Sequence, residues 1–115
     1  MANITVWHNP KCGSSRNALA YLEEKGIEPE VYLYLAERPG KAEIEAVLKA
    51  LSMKPSQVLR PKEDLAEQLG LYDGASEKKI LAAMAEHARL IQRPIVISSK
   101  GGVIARPKEN IDEIL

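Results

Sequence analysis

The sequence predicts an α/β fold ordered β-α-β, a helical stretch, then β-β-α. Three observations carry that expectation. The chain opens on a β-branched alternating run that passes through a breaker-rich loop into a helical pattern and then a second alternating run. Residues from about 40 to 90 carry the helical period. The chain then returns to β-branched residues around a Gly-Gly pair and ends on a helix opened by proline.

The first strand is read over residues 1–7, where Ile4 and Val6 alternate with Thr5 and Trp7. Residues 8–13 read His-Asn-Pro-Lys-Cys-Gly, a loop. Ser14 and Ser15 offer N-caps for a helix that runs to Lys25, with Ala18, Leu19 and Leu22 apolar and Gly26 as its stop. A second strand is read over 31–35, with Val31, Leu33 and Leu35 alternating against Tyr32 and Tyr34. In the middle, Ile44, Val47, Leu48 and Leu51 fall at helical spacing. Short helices follow over 55–59 and 62–69, the second closed by Gly70. Ser76 caps another that carries Ile80, Leu81, Met84 and Ala88 on one face. The last strands are read over 94–99 and 103–105, with Gly101-Gly102 as a tight turn. Pro107 suits the first turn of a final helix carrying Ile111, Ile114 and Leu115. A βαβ unit followed by a ββα unit is the thioredoxin arrangement. The expectation is one domain over 1–115, with a helical insert at about 40–90.

Composition narrows the function. The chain has 115 residues, 45% hydrophobic and 28% charged, and its 16 basic and 16 acidic residues cancel. A general electrostatic hold on nucleic acid is therefore not expected. No stretch is apolar enough to cross a membrane. No basic region followed by a long apolar run opens the chain, so a cytoplasmic location is expected. Cys12 is the sole cysteine. One cysteine makes neither an intramolecular disulfide nor a multi-cysteine metal site. No metal and no bound cofactor are expected, and any disulfide formed by Cys12 needs a sulfur from another molecule.

Cys12 follows a strand and opens a helix. The first turn of a helix presents unpaired N–H groups and a positive dipole end, which stabilise a thiolate and hold anions. Lys11 and Arg16 add positive charge, and Gly13 permits close backbone approach. A buried inert cysteine is the alternative, but these neighbours are polar. A Cys-x5-Arg anion loop needs Arg at position 18, which is Ala18, and a Cys-x-x-Cys dithiol needs Cys at position 15, which is Ser15. Among the six arginines, Arg60, Arg93 and Arg106 each directly precede proline at a predicted element boundary. Proline biases the preceding residue to extended geometry, and guanidinium groups bind tetrahedral oxyanions in bidentate fashion. Three such groups at Cys12 would form an oxyanion pocket; three solvated arginines at element boundaries is the alternative. Pro94 is also a candidate for a cis peptide bond. His8 stands four residues before the thiol, where it can tune the thiol or simply end the strand. His87 reads as a surface or half-buried helix position. Lys62-Glu63-Asp64 reads as a solvated helix start, and the four tyrosines do not cluster.

The run from Ile4 to Asn17 resembles the glutaredoxin-coupled arsenate reductase family. Leu59-Arg60, Glu67-Gln68-Leu69-Gly70-Leu71, Gln92-Arg93-Pro94-Ile95-Val96 and Ala105-Arg106-Pro107 match the same family in order and spacing, with Glu113-Ile114-Leu115 at the end. The usual family loop reads Cys-Gly-Thr-Ser-Arg, and position 14 here is Ser. The chain resembles the shorter branch, which lacks a C-terminal extension. The resemblance implies that Cys12 attacks arsenate, that His8 assists its thiolate, and that Arg60, Arg93 and Arg106 bind the oxyanion beside Gly13, Ser14 and Ser15. It also implies glutathione as co-substrate and a glutaredoxin that resolves the mixed disulfide. A glutathione-linked thiol-transferase acting on another substrate is the second expectation. A non-enzymatic redox regulator that binds RNA polymerase is the third, although Ser15 removes the dithiol switch of that class.

Overall fold

The computed structural model describes residues 4–92 and 94–115. Its chain divides into two compact units, residues 1–37 with 93–115 and residues 38–92.

In the first unit, strands β1 (Thr5–Trp7), β2 (Glu30–Tyr32), β3 (Ile95–Ser98) and β4 (Gly101–Ile104) form one sheet in the order β2-β1-β3-β4. β1 pairs with β2 in parallel and with β3 antiparallel, and β4 pairs back on β3. Helix α1 (Gly13–Glu24) supplies the crossover between the parallel strands. The core lies where Ala18 and Leu22 of α1 meet Ile4, Val6 and Val96 of the sheet side and Ala105, Ile111 and Ile114 of the C-terminal segment. In β1 the pleat sends Val6 one way and Trp7 the other. Trp7 lies 5.1 Å from the Tyr32 ring and 6.0 Å from Tyr34. This is the thioredoxin-like fold that the element order predicts.

Several elements differ locally from the sequence reading. β2 ends at Tyr32, and Tyr34–Glu37 forms a short helix, α2. Tyr34 is buried, whereas Val31, Leu33 and Leu35 are each at least 40% exposed. Of these, Val31 lies in β2, an edge strand, whereas Leu33 and Leu35 lie beyond it, in the turn to α2 and in α2. The glycines do not form the hairpin turn. Gly101 pairs with Ser98 and Gly102 with Ile97, so Ser99 and Lys100 make the two-residue turn. Gly101 has φ 136°, a conformation that favours glycine at the return point. Neither Ser14 nor Ser15 caps α1; Cys12 is the N-cap residue, with Gly26 (φ 74°) as the stop. The C-terminal helix is a 3₁₀ helix, Lys108–Ile114. Residues three apart lie along one side of a 3₁₀ helix, which suits buried Ile111 and Ile114. The Arg106–Pro107 peptide is cis, while the Arg93–Pro94 bond lies outside the described residues.

The second unit holds α3 (Lys41–Leu51), α4 (Pro55–Val58), α5 (Asp64–Gln68), α6 (Glu77–Glu86) and a 3₁₀ turn, Ala88–Leu90. The predicted stripe Ile44, Val47, Leu48 and Leu51 is buried. The Ser76 hydroxyl accepts the Lys79 N–H and caps α6. Ile80 and Met84 are buried, but the helix stops at Glu86, so Ala88 belongs to the 3₁₀ turn rather than to that face. His87 stands half-buried at the break. No helix among the described residues is long and apolar enough to cross a membrane.

Ile111 is fully buried beneath the sheet. Ile111→Ala is expected to lower the unfolding free energy by about 2–5 kcal/mol in urea titrations. A loss well under 1 kcal/mol would show that the 3₁₀ helix adds little to the core.

Candidate active site

The chain leaves β1 at Trp7 and turns through residues 8–11 into α1. Backbone bonds set the turn: the Cys12 N–H donates to Asn9 O at 3.0 Å, and Cys12 O accepts the Arg16 N–H at 3.0 Å. The Asn9 carboxamide accepts the Lys11 N–H at 3.0 Å. Cys12 is extended (φ −97°, ψ 124°) and half-buried, and its side chain makes no capping bond. The first-turn N–H groups of Gly13, Ser14 and Ser15 have no intrahelical acceptor. The thiol therefore sits where a helix favours negative charge.

Ser15 is fully buried. Its hydroxyl accepts the Asn9 N–H at 3.0 Å and lies 2.6 Å from Nδ1 of His8. The sequence reading places Ser15 among the substrate-binding residues. Its hydroxyl is instead committed to His8 and Asn9, which leaves its backbone N–H as the group that can face an anion. His8 is 7% exposed. Its own N–H donates to Tyr32 O at 2.9 Å, which extends the β1–β2 pairing by one bond. Burial first, and then the charge of Arg16, hold the His8 pKa below its ordinary value near 6.5. The imidazole is therefore neutral at neutral pH. Arg16 folds over the turn, with Nη1 donating to Pro10 O at 3.0 Å. A Cβ at Gly13 would meet only Arg16 Nη2, at 4.0 Å, so packing within the chain does not require glycine there.

Of the candidate oxyanion-binding arginines Arg60, Arg93 and Arg106, Arg106 belongs to the same unit as Cys12. It lines a cleft opposite Ser14 and Asn17 of α1. Arg93 lies outside the described residues. Arg60 belongs to the helical unit. Leu59 beside it bridges to Ile91, and the Arg60 N–H donates to Leu90 O at 2.8 Å. The Arg60 carbonyl accepts the Tyr72 hydroxyl, which itself accepts the Glu63 N–H at 2.9 Å. Glu63 pairs with Arg60 Nη1 at 3.2 Å and with Arg89 Nε at 3.6 Å. The sequence reads Glu63 as part of a solvated helix start and assigns Tyr72 no role; in the structure both hold Arg60. Sequence spacing carried no signal for the Tyr72 contact, which joins residues twelve apart across α5. Among the described residues, no group of three or more His, Cys, Asp or Glu side chains is placed to hold a metal ion.

The lowered His8 pKa has a stability consequence. As pH falls, the unfolded chain binds the His8 proton first. The contribution of His8 is complete above about 6.5 and is lost as pH falls through the lowered native value. Urea midpoints of the wild type should fall between about pH 7 and about pH 5, and fall less in His8→Gln. Equal falls would show that the fold tolerates the charged ring. In an NMR titration, Arg16→Gln should move the His8 midpoint upward toward 6.5.

Residues 7–114 match the model of the ArsC family. An arsenate reductase of Rhizobium meliloti is 42% identical, with 97% of this chain and 81% of that protein covered. The uncharacterized protein YfgD of Escherichia coli K12 is 40% identical, with 97% and 96% covered. A solved structure, the arsenate reductase from Vibrio cholerae, superposes with a TM-score of 0.95 at 40% identity, covering 99% of this chain and 98% of that one. The family match spans the thiol turn from Trp7 onward as well as Arg60-Pro61, Arg93-Pro94 and Arg106-Pro107, and the chain belongs to the ArsC family.

Proposed function

We propose that the protein reduces arsenate to arsenite, with Cys12 as the nucleophile and glutathione and a glutaredoxin as reductants. The observation that carries this reading is the sole cysteine at the N-cap of α1, its side chain not used as a cap, in a chain whose relatives include arsenate reductases. The Cys12 thiolate attacks the arsenic atom, and one arsenate oxygen leaves as water after taking up protons. Glutathione sulfur then attacks the Cys12 sulfur. An S–S bond forms, the S–As bonding pair stays on arsenic, and As(V) becomes As(III), released as arsenite. A glutaredoxin thiol attacks the glutathione sulfur of the mixed disulfide, and Cys12 leaves as a thiolate.

Each residue has a part in this scheme. The first-turn N–H groups of Gly13, Ser14 and Ser15 favour the anion and the thiolate alike. Gly13 keeps that approach open, since a side chain there would stand beside the thiol. Neutral His8, oriented by Ser15, assists the thiolate without adding a cation that protonation would make pH-dependent. Arg60, Arg93 and Arg106 bind the arsenate oxygens; this assignment rests on the family motifs, with Arg106 supported also by its cleft beside α1.

The test is glutathione oxidation in the presence of a glutaredoxin. Oxidation should depend on arsenate and vanish in Cys12→Ser. Arg60→Ala and Arg106→Ala should each raise the KM for arsenate by roughly 10- to 100-fold, the loss of one charge-assisted contact. No turnover at saturating arsenate would overturn the reading. Turnover of a glutathionylated peptide without any on arsenate would select the thiol-transferase instead.

A further inference from the structure

Within the helical unit, residues 60–63 make a tight turn between the Leu59–Ile91 bridge and α5. Pro61 is its second residue, and Lys62, its third, has φ 58°. Proline followed by a positive φ is the type II pattern, in which glycine or asparagine usually takes the third place. A lysine is strained there, and such strain persists where surrounding contacts fix the backbone. Tyr72 supplies them. Its hydroxyl accepts the Glu63 N–H at 2.9 Å and donates to the Arg60 carbonyl, so it bridges the two ends of the turn. The strained turn thus folds Glu63 back onto Arg60.

Glu63 is also the N-cap residue of α5, yet its side chain makes no capping bond. A side-chain oxygen at that position ordinarily accepts from the first turn of its own helix. Here each carboxylate oxygen faces an arginine instead: Oε2 lies 3.2 Å from Arg60 Nη1, and Oε1 lies 3.6 Å from Arg89 Nε. The Glu63 side chain is 15% exposed, against 34% for Arg60 and 57% for Arg89. The carboxylate is the sheltered member of the trio, so it is the one that loses most when left unpaired. We infer that Glu63 is a positioning residue for Arg60, and that Arg89, by sharing the carboxylate, sets how readily Arg60 is released to an anion. The inference rests on the reading above that Arg60 binds the oxyanion. A carboxylate held by Arg60 alone would be stranded when Arg60 turned to an anion. Shared with Arg89, it keeps a partner. Neither Glu63 nor Arg89 touches the anion; both act through Arg60.

Side-chain NMR of the full chain reads the Arg60 guanidinium directly, without arsenate. A held guanidinium rotates slowly and gives separate Nη signals. These should merge in Glu63→Gln, which is close to isosteric. In the arsenate assay Arg89→Gln should raise the KM for arsenate by roughly two- to fivefold, the range of a partly exposed ion pair, with kcat unchanged. Arg89→Lys keeps the charge and should keep the wild-type KM. The rise should vanish when Glu63 is already Gln, because the coupling runs through that carboxylate. Nη signals that are merged in the wild type, or that Glu63→Gln leaves separate, would overturn the inference. So would an Arg89→Gln effect that is absent, or of equal size with and without Glu63, which marks charge acting through space. A chain that does not turn over arsenate removes the reductase reading alone. The Kd for inorganic phosphate, read from the Arg60 signals, should then rank the same variants in the same order, and a Kd indifferent to Arg89 would remove the inference as well.

Discussion

The buried hydroxyl of Ser15 ties the end of β1 to the first turn of α1. On one side it meets His8, whose N–H continues the ladder into β2; on the other it accepts the N–H of Asn9. Both shoulders of the Cys12 turn are thus fixed to each other. An imidazole and a hydroxyl buried this deeply are costly without partners, at about 1–3 kcal/mol for each group left unmet. Each here satisfies the other, so the two residue types are coupled. What results is a polar knot in the interior and a half-buried thiol just outside it. The core under α1 supplies cohesion, but that core would serve any helix with Ala18 and Leu22 at these positions. The knot is what sets the angle at which Cys12 leaves the sheet.

That division explains what the sequence made legible. Elements with a strong local pattern were readable: the stripe of α3, the stop at Gly26, the Ser76 cap and the β-α-β/β-β-α order. The departures occur where a neighbour decides. Tyr34 is buried while Val31, Leu33 and Leu35 stay exposed because the strand stops at Tyr32 and the chain turns into α2, and one-dimensional alternation does not show that stop. The Gly-Gly pair signals a turn, but the register with β3 places both glycines in the ladder. The two serines look like caps because serine usually is one. Burial recruits Ser15 to His8, and the cap position falls to Cys12.

The site was legible to different depths. Cys12 stood out because its neighbours are polar, and that depends only on adjacent residues. The link from His8 to Ser15 spans seven residues and follows from the geometry of the strand-to-helix turn. Arg106 reaches the α1 side through the sheet, a relation that Arg-Pro spacing does not encode. The supports of Arg60 are further removed. Tyr72 and Glu63 contact it from either side of a short helix, with no period that links them.

Those supports bear on how the arginine assigned to the oxyanion in the proposed reaction is held. A guanidinium alone on the surface samples many rotamers, and ordering it costs part of what a contact gains. Arg60 follows the isolated β-bridge at Leu59, with its carbonyl held by Tyr72 and its guanidinium by Glu63. A single carboxylate would also cancel its charge. Glu63 is shared, however, with Arg89 at 3.6 Å. Two guanidinium groups on one carboxylate leave the cluster a net positive charge, and each shares the carboxylate with a competitor. In the proposed reaction, an oxyanion that binds Arg60 would displace a divided ion pair rather than an exclusive one. Glu63 orients Arg60 while Arg89 keeps that orientation from neutralising it, so order and charge, which oppose each other in a simple salt bridge, are held together within the helical unit.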